Sequence, residues 1–326
     1  MGTTNKKIII TGGAGFIGYN LAKRLALKNF KVIIWDNLSR GSNDPHLRDL
    51  LRNKNVELFK KDLQKKIKAK KSQVSHIFHL AGSVGVKNIS ENAYNSFLNN
   101  FITLKNIIEF NKSLPNSAKL ILFSTSEVYS SLIKKKKVKF PLKEENDTII
   151  ENKIIDRDAY YLSKIFNEKL TQLSRLQYII LRPHNIYGPR MGFSHVIPEL
   201  IKKIILEKKK ISKKTIVYSP NHTRAFCYID DAIDQIIQLS LSRNVNNKIF
   251  NIGNMKEEIK IIDLAKKIKK IIYKKSKLIR GRITIGSPKR RVPDMSKTIK
   301  KTKLKKFTNL DNGLNKTIRW YLDKIK

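Results

Sequence analysis

The glycine-rich segment near residue 12 constrains the fold more than any other feature, because of the elements that flank it. A short apolar run with the composition of a buried strand covers Lys7–Thr11 and leads into Gly12-Gly13-Ala14-Gly15-Phe16-Ile17-Gly18. A helical pattern follows over Asn20–Leu27, and a second strand over Lys31–Trp35 stops at Asp36. Together these segments form a βαβ unit of about 30 residues, which is the context that a dinucleotide-binding glycine turn requires.

This βαβ unit also predicts the nucleotide that binds. Its glycines allow the backbone to turn tightly and to approach a pyrophosphate, which would lie against the positive end of the helix dipole. Asp36 can accept hydrogen bonds from both hydroxyls of an adenosine ribose, and its charge would repel a 2′-phosphate. The sequence therefore predicts NAD, rather than NADP, as the cofactor.

Strand and helix patterns continue to alternate along the chain. Strands are expected at Val56–Phe59, Ser75–Leu80, Leu120–Phe123 and Tyr178–Leu181, and helices at Ala93–Phe110 and Ala159–Leu173. This alternation predicts an α/β fold, a Rossmann-type doubly wound parallel sheet with a smaller C-terminal substrate-binding α/β subdomain. We expect the NAD-binding domain at residues 1–183, with residues 226–254 returning to it, and the substrate-binding subdomain at residues 184–225 and 255–326.

The charge of the chain permits two interpretations. The sequence holds 68 basic and 26 acidic residues, a formal net charge of +42. Such a charge suits nucleic-acid binding, but the lysines recur along almost the whole chain, without an aromatic-interleaved stripe or a nucleic-acid motif. A general replacement of solvent-exposed residues by lysine explains this distribution better, so nucleic acid is an unlikely partner.

Several classes of protein are excluded by composition. The single cysteine, Cys227, rules out an internal disulfide framework and a multi-cysteine metal site, and we expect no metal. No stretch approaches the roughly 18 apolar residues of a membrane span, and the N-terminus leaves no room for a signal peptide. The expected class is a cytoplasmic protein that has no membrane partner.

Two groups of polar residues carry the candidate chemistry. The strand that ends at Phe123 is followed by Ser124-Thr125-Ser126-Glu127-Val128-Tyr129, at the sheet edge where ligands bind in doubly wound folds. Tyr160 and Lys164 stand one helical turn apart on one face of the next helix. A phenol titrates near 10, so a neighbouring ammonium is needed to make it an efficient base at neutral pH. This context predicts that Tyr160 and Lys164 are catalytic.

With these residues assembled, the chain resembles the extended short-chain dehydrogenase/reductases, the NAD-dependent nucleotide-sugar epimerases, dehydratases and decarboxylases. The resemblance extends over nearly the whole chain. Its marks are the glycine motif, Asp36-Asn37-Leu38, Asp62-Leu63, His79-Leu80-Ala81-Gly82, Ser124–Tyr129, Tyr160 with Lys164, Arg182–Pro189, Thr223–Tyr228 and Asn251–Asn254.

The resemblance implies a role for each matching position. The cofactor would be held by Gly12, Gly15, Phe16, Ile17, Gly18, Asp36, Asn37, Asp62, Leu63, Ala81, Gly82, Tyr160 and Lys164. Thr125 would assist Tyr160 at the sugar O4, with Glu127 as the further catalytic residue. The nucleotide sugar would be contacted by Ser126 and Asn185, its diphosphate by Arg224 and Arg291, and its nucleotide ribose by Asp294.

The specific reaction stays open among three possibilities, all of which begin with oxidation at C4. A 4,6-dehydratase usually has an Asp where this chain has Ser126, and a simple 4-epimerase would leave Glu127 idle. UDP-glucuronate decarboxylases resemble the chain in the Thr-Ser-Glu strand end and the Arg-x-Pro-Asp motif, and Arg224 and Glu127 would position the sugar carboxylate. We therefore expect a UDP-glucuronate decarboxylase that forms UDP-xylose, with 4-epimerase and 4,6-dehydratase as alternatives. A non-catalytic RNA-binding member of the superfamily is a distant further alternative, since such members typically lose the Tyr/Lys pair.

The resemblance also implies a homodimer, in which Ala93–Phe110 and Ala159–Leu173 pair across a two-fold axis. We expect their apolar faces to be broader than one sheet needs. The residues on these faces are Phe97, Phe101, Leu104, Ile108, Tyr161 and Ile165.

Overall fold

A computed structural model describes residues 7–39, 43–68, 73–83, 92–304 and 306–325. Strands β1 to β6 cover Lys7–Thr11, Lys31–Asp36, Val56–Lys60, Val74–His79, Lys119–Phe123 and Tyr178–Pro183. Strands β7 to β14 cover Ile186–Tyr187, Thr215–Val217, Thr223–Ala225, Cys227–Tyr228, Lys248–Ile252, Glu258–Lys260, Leu278–Arg280 and Arg290–Arg291. Helices α1 to α5 cover Phe16–Leu27, Pro45–Leu50, Ala93–Lys112, Ser130–Lys134 and Asp158–Leu173. Helices α6 to α10 cover Val196–Lys208, Ile229–Leu241, Ile261–Ile272, Ser296–Lys301 and Leu310–Lys324.

The chain divides into two compact units, each built from several segments. The first contains Met1–Ser131, Asp147–Pro183 and Gln235–Phe250, and the second contains Leu132–Asn146, His184–Asp234 and Asn251–Lys326. This division by compactness does not test which residues bind NAD or substrate, so the domain boundaries expected from the sequence remain a prediction.

The first unit is organised around a seven-stranded sheet in the order β11-β6-β5-β4-β1-β2-β3. The pairs from β6 to β3 are all parallel, and β1 lies in register with β2 from Lys7–Lys31 to Thr11–Trp35. The sheet grows outward from β1, with β2 and β3 added on one side and β4, β5, β6 and β11 on the other. This topology confirms the predicted α/β class with a doubly wound parallel sheet.

The strands formed where apolar runs predicted them, because both faces of a parallel sheet are covered and its strands are apolar throughout. Ile8, Ile10 and Ile34 are fully buried in neighbouring strands. The helix after the glycine turn begins earlier than its sequence pattern predicted, at Phe16 instead of Asn20. Gly18 therefore lies inside the first turn of α1 and not before it.

Helices α3 and α5 pack against each other in the first unit. Four of the residues that we expected on their broad apolar faces are buried within this unit. These residues are Leu104, Ile108, Tyr161 and Ile165. That part of the expectation was wrong, because these side chains serve the core of the chain itself; Phe97 and Phe101 are half-buried.

The second unit contains small sheets and three longer helices. The strand order β12-β9-β14 forms one sheet, and β8 with β13 and β7 with β10 form parallel pairs. Helix α8 places Leu264 and Ile268 in the core, against α6 and α10. Gly313 of α10 allows the helix to approach Tyr187 of β7, since a Cβ there would lie 2.0 Å from the Tyr187 hydroxyl.

Candidate active site

The glycine turn between β1 and α1 has the geometry of a nucleotide cradle. Gly12 takes a left-handed φ of 68° and donates its backbone N–H to the Trp35 carbonyl at 2.8 Å. A Cβ on Gly18 would lie 2.4 Å from the Gly12 carbonyl oxygen, so only glycine permits α1 to start this close to the turn. Gly15 is the N-cap residue of α1, whose first turn contains no acidic residue. The positive end of the helix dipole is thus available to a pyrophosphate.

Asp36 at the end of β2 is held beside this turn. Its carboxylate is nearly buried and accepts hydrogen bonds from the backbone N–H groups of Ala14, at 3.0 Å, and Leu38, at 2.8 Å. Each carboxylate oxygen keeps a lone pair that could accept a ribose hydroxyl. The residues present therefore fit the adenosine ribose of NAD.

The remaining residues expected at the adenosine end have local contacts. The exposed Asn37 accepts hydrogen bonds from the backbone N–H and the hydroxyl of Ser39. Asp62 accepts from the backbone N–H of Gln64 at 3.0 Å, and the carbonyl of the buried Leu63 accepts from the Asn106 amide at 2.8 Å.

Behind the glycine turn, the end of β4 is tied to β1. The Thr11 hydroxyl lies 2.9 Å from His79 Nδ1 and accepts the Ala81 backbone N–H at 3.2 Å. Burial, together with the nearby Lys164 ammonium, lowers the pKa of His79 to about 3. His79 is therefore a neutral ring that links the ends of two neighbouring strands.

The pair predicted to be catalytic, Tyr160 and Lys164, lies on α5. Lys164 is only 4% exposed, and its Nζ donates a hydrogen bond to the Phe123 carbonyl at the end of β5, at 2.9 Å. Burial lowers the pKa of Lys164 to about 8, and the carboxylate of Glu168 opposes that shift. Tyr160, one turn earlier, is half-buried. The helix thus places the Lys164 ammonium at the strand end, with Tyr160 one turn before it.

The strand end itself folds into a short 3-10 turn over Ser126–Tyr129. Thr125 caps this turn, since its hydroxyl accepts the Glu127 backbone N–H at 3.2 Å. The turn packs against α5. Ser126 is buried and Glu127 is half-buried. The structure therefore brings Thr125, Ser126, Glu127, Tyr160 and Lys164 to one region of the first unit.

A buried amide on α3 also belongs to this region and was not identified from the sequence. Asn100 accepts the Ser83 backbone N–H at 2.6 Å and donates to the Ser163 hydroxyl at 2.9 Å, which in turn donates to the Tyr160 carbonyl at 2.8 Å. Asn100 thereby connects Ser83 to α5, the helix that bears Tyr160 and Lys164. The sequence carries little signal for this role, because the buried face of α3 also holds Ser96, Thr103 and Asn111.

Of the residues expected to bind substrate, Ser126 lies in the first unit, and Asn185, Arg224, Arg291 and Asp294 lie in the second. Arg224 on β9 and Arg291 on β14 are direct cross-strand partners and are only 9% and 7% exposed. Arg224 donates hydrogen bonds to the Thr223 carbonyl and to the Ser287 hydroxyl, both at 2.7 Å. Like charges directly opposite each other in a sheet repel, so an anion would stabilise this pair.

The neighbouring Arg290 has a different environment. It is more exposed and forms a bidentate ion pair with Glu258, with both N···O distances at 2.8 Å. Of the two adjacent arginines, Arg291 therefore remains the better candidate for an anionic ligand.

The other two predicted substrate residues have backbone partners. Asn185 takes a left-handed φ of 39° and donates its amide to the Ala225 carbonyl at 3.1 Å. Asp294 accepts the Ser296 backbone N–H at 2.8 Å, at the start of α9. Among the described residues, no group of three or more His, Cys, Asp or Glu side chains could hold a metal ion. No helix within the described part of the chain is long and apolar enough to cross a membrane.

Comparison with known proteins gives consistent results. A sequence model of the NAD dependent epimerase/dehydratase family matches residues 8–253. A UDP-N-acetyl-alpha-D-glucosaminuronate decarboxylase of Bacillus cytotoxicus is 30% identical, over 97% of this chain and 98% of the relative. UDP-glucuronic acid decarboxylase 1 of Xenopus tropicalis is 27% identical, over 98% of this chain and 73% of the relative. A UDP-glucuronic acid 4-epimerase from Bacillus cereus, solved with UDP-glucuronic acid and NAD, has a TM-score of 0.82 at 24% identity and covers 98% of this chain and 100% of its own.

Proposed function

The chain belongs to the NAD-dependent epimerase/dehydratase family, and we propose that it decarboxylates UDP-glucuronate to UDP-xylose through a 4-keto intermediate. The observation that carries this proposal is the packing of the Thr125–Glu127 turn against the helix that bears Tyr160 and Lys164. Two decarboxylases of UDP-linked uronic acids, which match nearly the whole chain, support a decarboxylation, and one of them is named for UDP-glucuronic acid.

The chain's own residues would bind and orient the reactants. NAD would be held by the glycine turn, Asp36 and Lys164, and when bound it supplies a reversible hydride acceptor for sugar C4. Tyr160 would remove the O4 proton as C4 is oxidised, with Thr125 donating a hydrogen bond to the same oxygen. The Lys164 ammonium favours the phenolate form of Tyr160 by its charge.

The loss of carbon dioxide follows from the chemistry of the oxidised sugar. A ketone at C4 makes the C5 carboxylate of a uronic acid a β-keto acid, which decarboxylates readily. Glu127 lies in the turn that packs against the helix of Tyr160, where it would orient the sugar so that the bond to the carboxylate can break and carbon dioxide can leave. Arg224 and Arg291 would bind the diphosphate, since a planar guanidinium donates hydrogen bonds in pairs to phosphate oxygens.

Product analysis tests this proposal. The purified protein with NAD is incubated separately with UDP-glucuronate, UDP-N-acetylglucosaminuronate, UDP-glucose and dTDP-glucose, and the products are identified by mass. We expect loss of carbon dioxide from UDP-glucuronate. If only UDP-N-acetylglucosaminuronate loses carbon dioxide, that sugar and not UDP-glucuronate is the substrate. Unchanged mass with altered stereochemistry would establish an epimerase, and loss of water a dehydratase.

Two variants assign the steps. Tyr160→Phe should abolish every product, because no 4-keto sugar forms without the phenol. Glu127→Gln should still oxidise C4, seen as NADH absorbance, but should slow the release of carbon dioxide by about tenfold or more. An unchanged rate in Glu127→Gln would remove the argument for decarboxylation.

We further propose that the protein is a homodimer through α3 and α5. Aromatic side chains remain exposed on these helices, with Tyr94 at 74% and Phe166 at 44%, and the Phe166 ring contacts the half-buried Phe97 at 5.7 Å between centroids. Sedimentation should give a dimer that Phe166→Lys dissociates and that Leu27→Lys, an exposed position on α1, leaves intact. A wild-type monomer at micromolar concentration would contradict this.

A cytoplasmic location also stays a proposal, supported by a single buried cysteine, Cys227, and tested by fractionation of producing cells.

A further inference from the structure

A buried ion pair lies directly behind the catalytic pair. Glu168 follows Lys164 by one helical turn, so Tyr160, Lys164 and Glu168 form a row along α5 at intervals of four residues. Arg182, at the end of β6, forms a bidentate pair with Glu168, at 2.9 Å from Nε to Oε1 and 2.7 Å from Nη2 to Oε2. The side chains of both partners are only 3% exposed.

This pair holds the catalytic turn at both of its ends. Ser124, two residues before the turn, donates its hydroxyl to Glu168 Oε1 at 2.5 Å. Tyr129, the last residue of the turn, accepts a hydrogen bond from Arg182 Nη1 at 2.8 Å, and the guanidinium lies 4.9 Å from the centre of its ring. Thr125 and Glu127 therefore lie on a segment whose two flanks are fixed to one buried pair.

Stability alone is a weak explanation for such a pair. The cost of removing two charges from water offsets most of their attraction, and apolar residues of similar size often serve as well. This pair joins α5, the end of β6, the residue after β5 and the 3-10 turn. It therefore fixes how these four segments are arranged, because a bidentate guanidinium and its carboxylate tolerate little rotation.

We propose that Glu168 and Arg182 are positioning residues for the reaction proposed above, on which this inference rests. They set the place of the Thr125–Glu127 turn relative to Tyr160 and keep Lys164 charged. Neither touches the reacting atoms.

The electrostatic part of the proposal has a definite sign. Burial lowers the pKa of Lys164, and the Glu168 carboxylate raises it. Three other ionisable groups belong to this cluster: Tyr160 one turn before Lys164 on the same helix, His79 from β4, whose pKa the Lys164 charge lowers, and Arg182 from β6, which is paired with Glu168. His79 stays neutral above pH 4, because its pKa is about 3, and Arg182 stays charged. Glu168 is the neighbour that keeps the ammonium protonated, so removal of its charge lowers the pKa of Lys164.

The experiment measures this charge without turnover. In a Tyr160→Phe background, Lys164 is the titrating group at the proposed nicotinamide-ribose site, and NADH binding is followed by fluorescence from pH 6 to 9. Adding Glu168→Gln, which keeps the shape of the side chain, should move the loss of NADH affinity to lower pH by about 1 unit. Glu199→Gln, which breaks the Glu199–Lys203 pair on α6, is the matched control and should leave the profile unchanged.

The geometric part is tested by a milder variant in the wild-type background. Ser124→Ala removes one bond to Glu168 and little volume, so the protein should fold and bind NAD normally while kcat falls about fivefold. Coincident NADH profiles with and without Glu168→Gln, or an unchanged kcat in Ser124→Ala, would overturn the proposal. If the wild type converts no nucleotide sugar but the NADH profile still shifts, the proposed function fails and the effect of Glu168 on Lys164 stands.

Discussion

Gly18→Ala is the sharpest test of the nucleotide cradle. A methyl group at this position would lie 2.4 Å from the Gly12 carbonyl oxygen and 2.7 Å from the Gly13 Cα. Both neighbours are backbone atoms of the turn, so relief requires a shift of the turn or of α1. Overpacking of this kind costs about 1–3 kcal/mol.

The cost should appear in cofactor binding, because the same turn must approach the pyrophosphate. Since about 1.4 kcal/mol corresponds to a tenfold change in Kd, NAD affinity should fall by about 5- to 150-fold. Isothermal titration gives the affinity, and thermal unfolding without cofactor gives the stability change.

Two other glycines calibrate the measurement. Gly192→Ala is the matched control, because no atom lies within 4 Å of its added Cβ. Gly15→Ala meets only the Gly12 carbonyl oxygen, at 3.2 Å, and should destabilise the apo-protein less than Gly18→Ala. If Gly18→Ala binds NAD within twofold of the wild type and unfolds at the same temperature, the steric argument for the turn is wrong.

Three further predictions follow from the geometry. Asp36→Asn should lower the ratio of NAD to NADP affinity at least about tenfold, since the charge that repels a 2′-phosphate is lost; parallel titrations measure both. Arg291→Gln should raise the KM for the nucleotide sugar about tenfold or more, whereas Arg290→Gln, which breaks the pair with Glu258, should change it less than twofold in steady-state assays. The folded pKa of Lys164, about 8, lies below its ordinary 10.5, so the buried ammonium destabilises the fold below pH 8 and this cost disappears between pH 8 and 10.5. In urea titrations at pH 7, Lys164→Met should therefore raise the free energy of unfolding by about 1–3 kcal/mol, and a value below that of the wild type would contradict this.

The central sheet could be predicted from the sequence because its strands are apolar runs with sharp ends. The run over Lys7–Thr11 ends at Gly12, and the run over Lys119–Phe123 ends in four hydroxyl or acidic residues. The start of α1 was placed four residues late, because the glycines that permit close packing also weaken the helical pattern. The Tyr160/Lys164 pair was predicted from its spacing, since i and i+4 share a helix face, together with its place after the glycine motif and the hydroxyl-rich strand end.

The residues that hold the site together could not be predicted in the same way. Glu168 stands four residues after Lys164, a spacing that is equally typical of an exposed ion pair. Its burial depends on Arg182 and Ser124, which come from two other elements. The strands that carry Arg224 and Arg291 have only three and two residues, too few for an alternating pattern to show their register. The roles of Arg224 and Arg291 could therefore be predicted only from the resemblance to a family and not from the periodicity of the sequence.

The order of strands in the central sheet has a consequence for biosynthesis. Strand β6 lies between β5 and β11, and β11 begins at Lys248, about 65 residues after β6 ends. At about 5–20 residues per second, the ribosome needs roughly 3–13 s to make that interval. For this time β6, with its run of Ile179, Ile180 and Leu181, is an uncovered edge of a nascent sheet. Edges of this kind pair with other chains, so the emerging protein presents chaperones with a defined apolar strand until its last sheet neighbour is made.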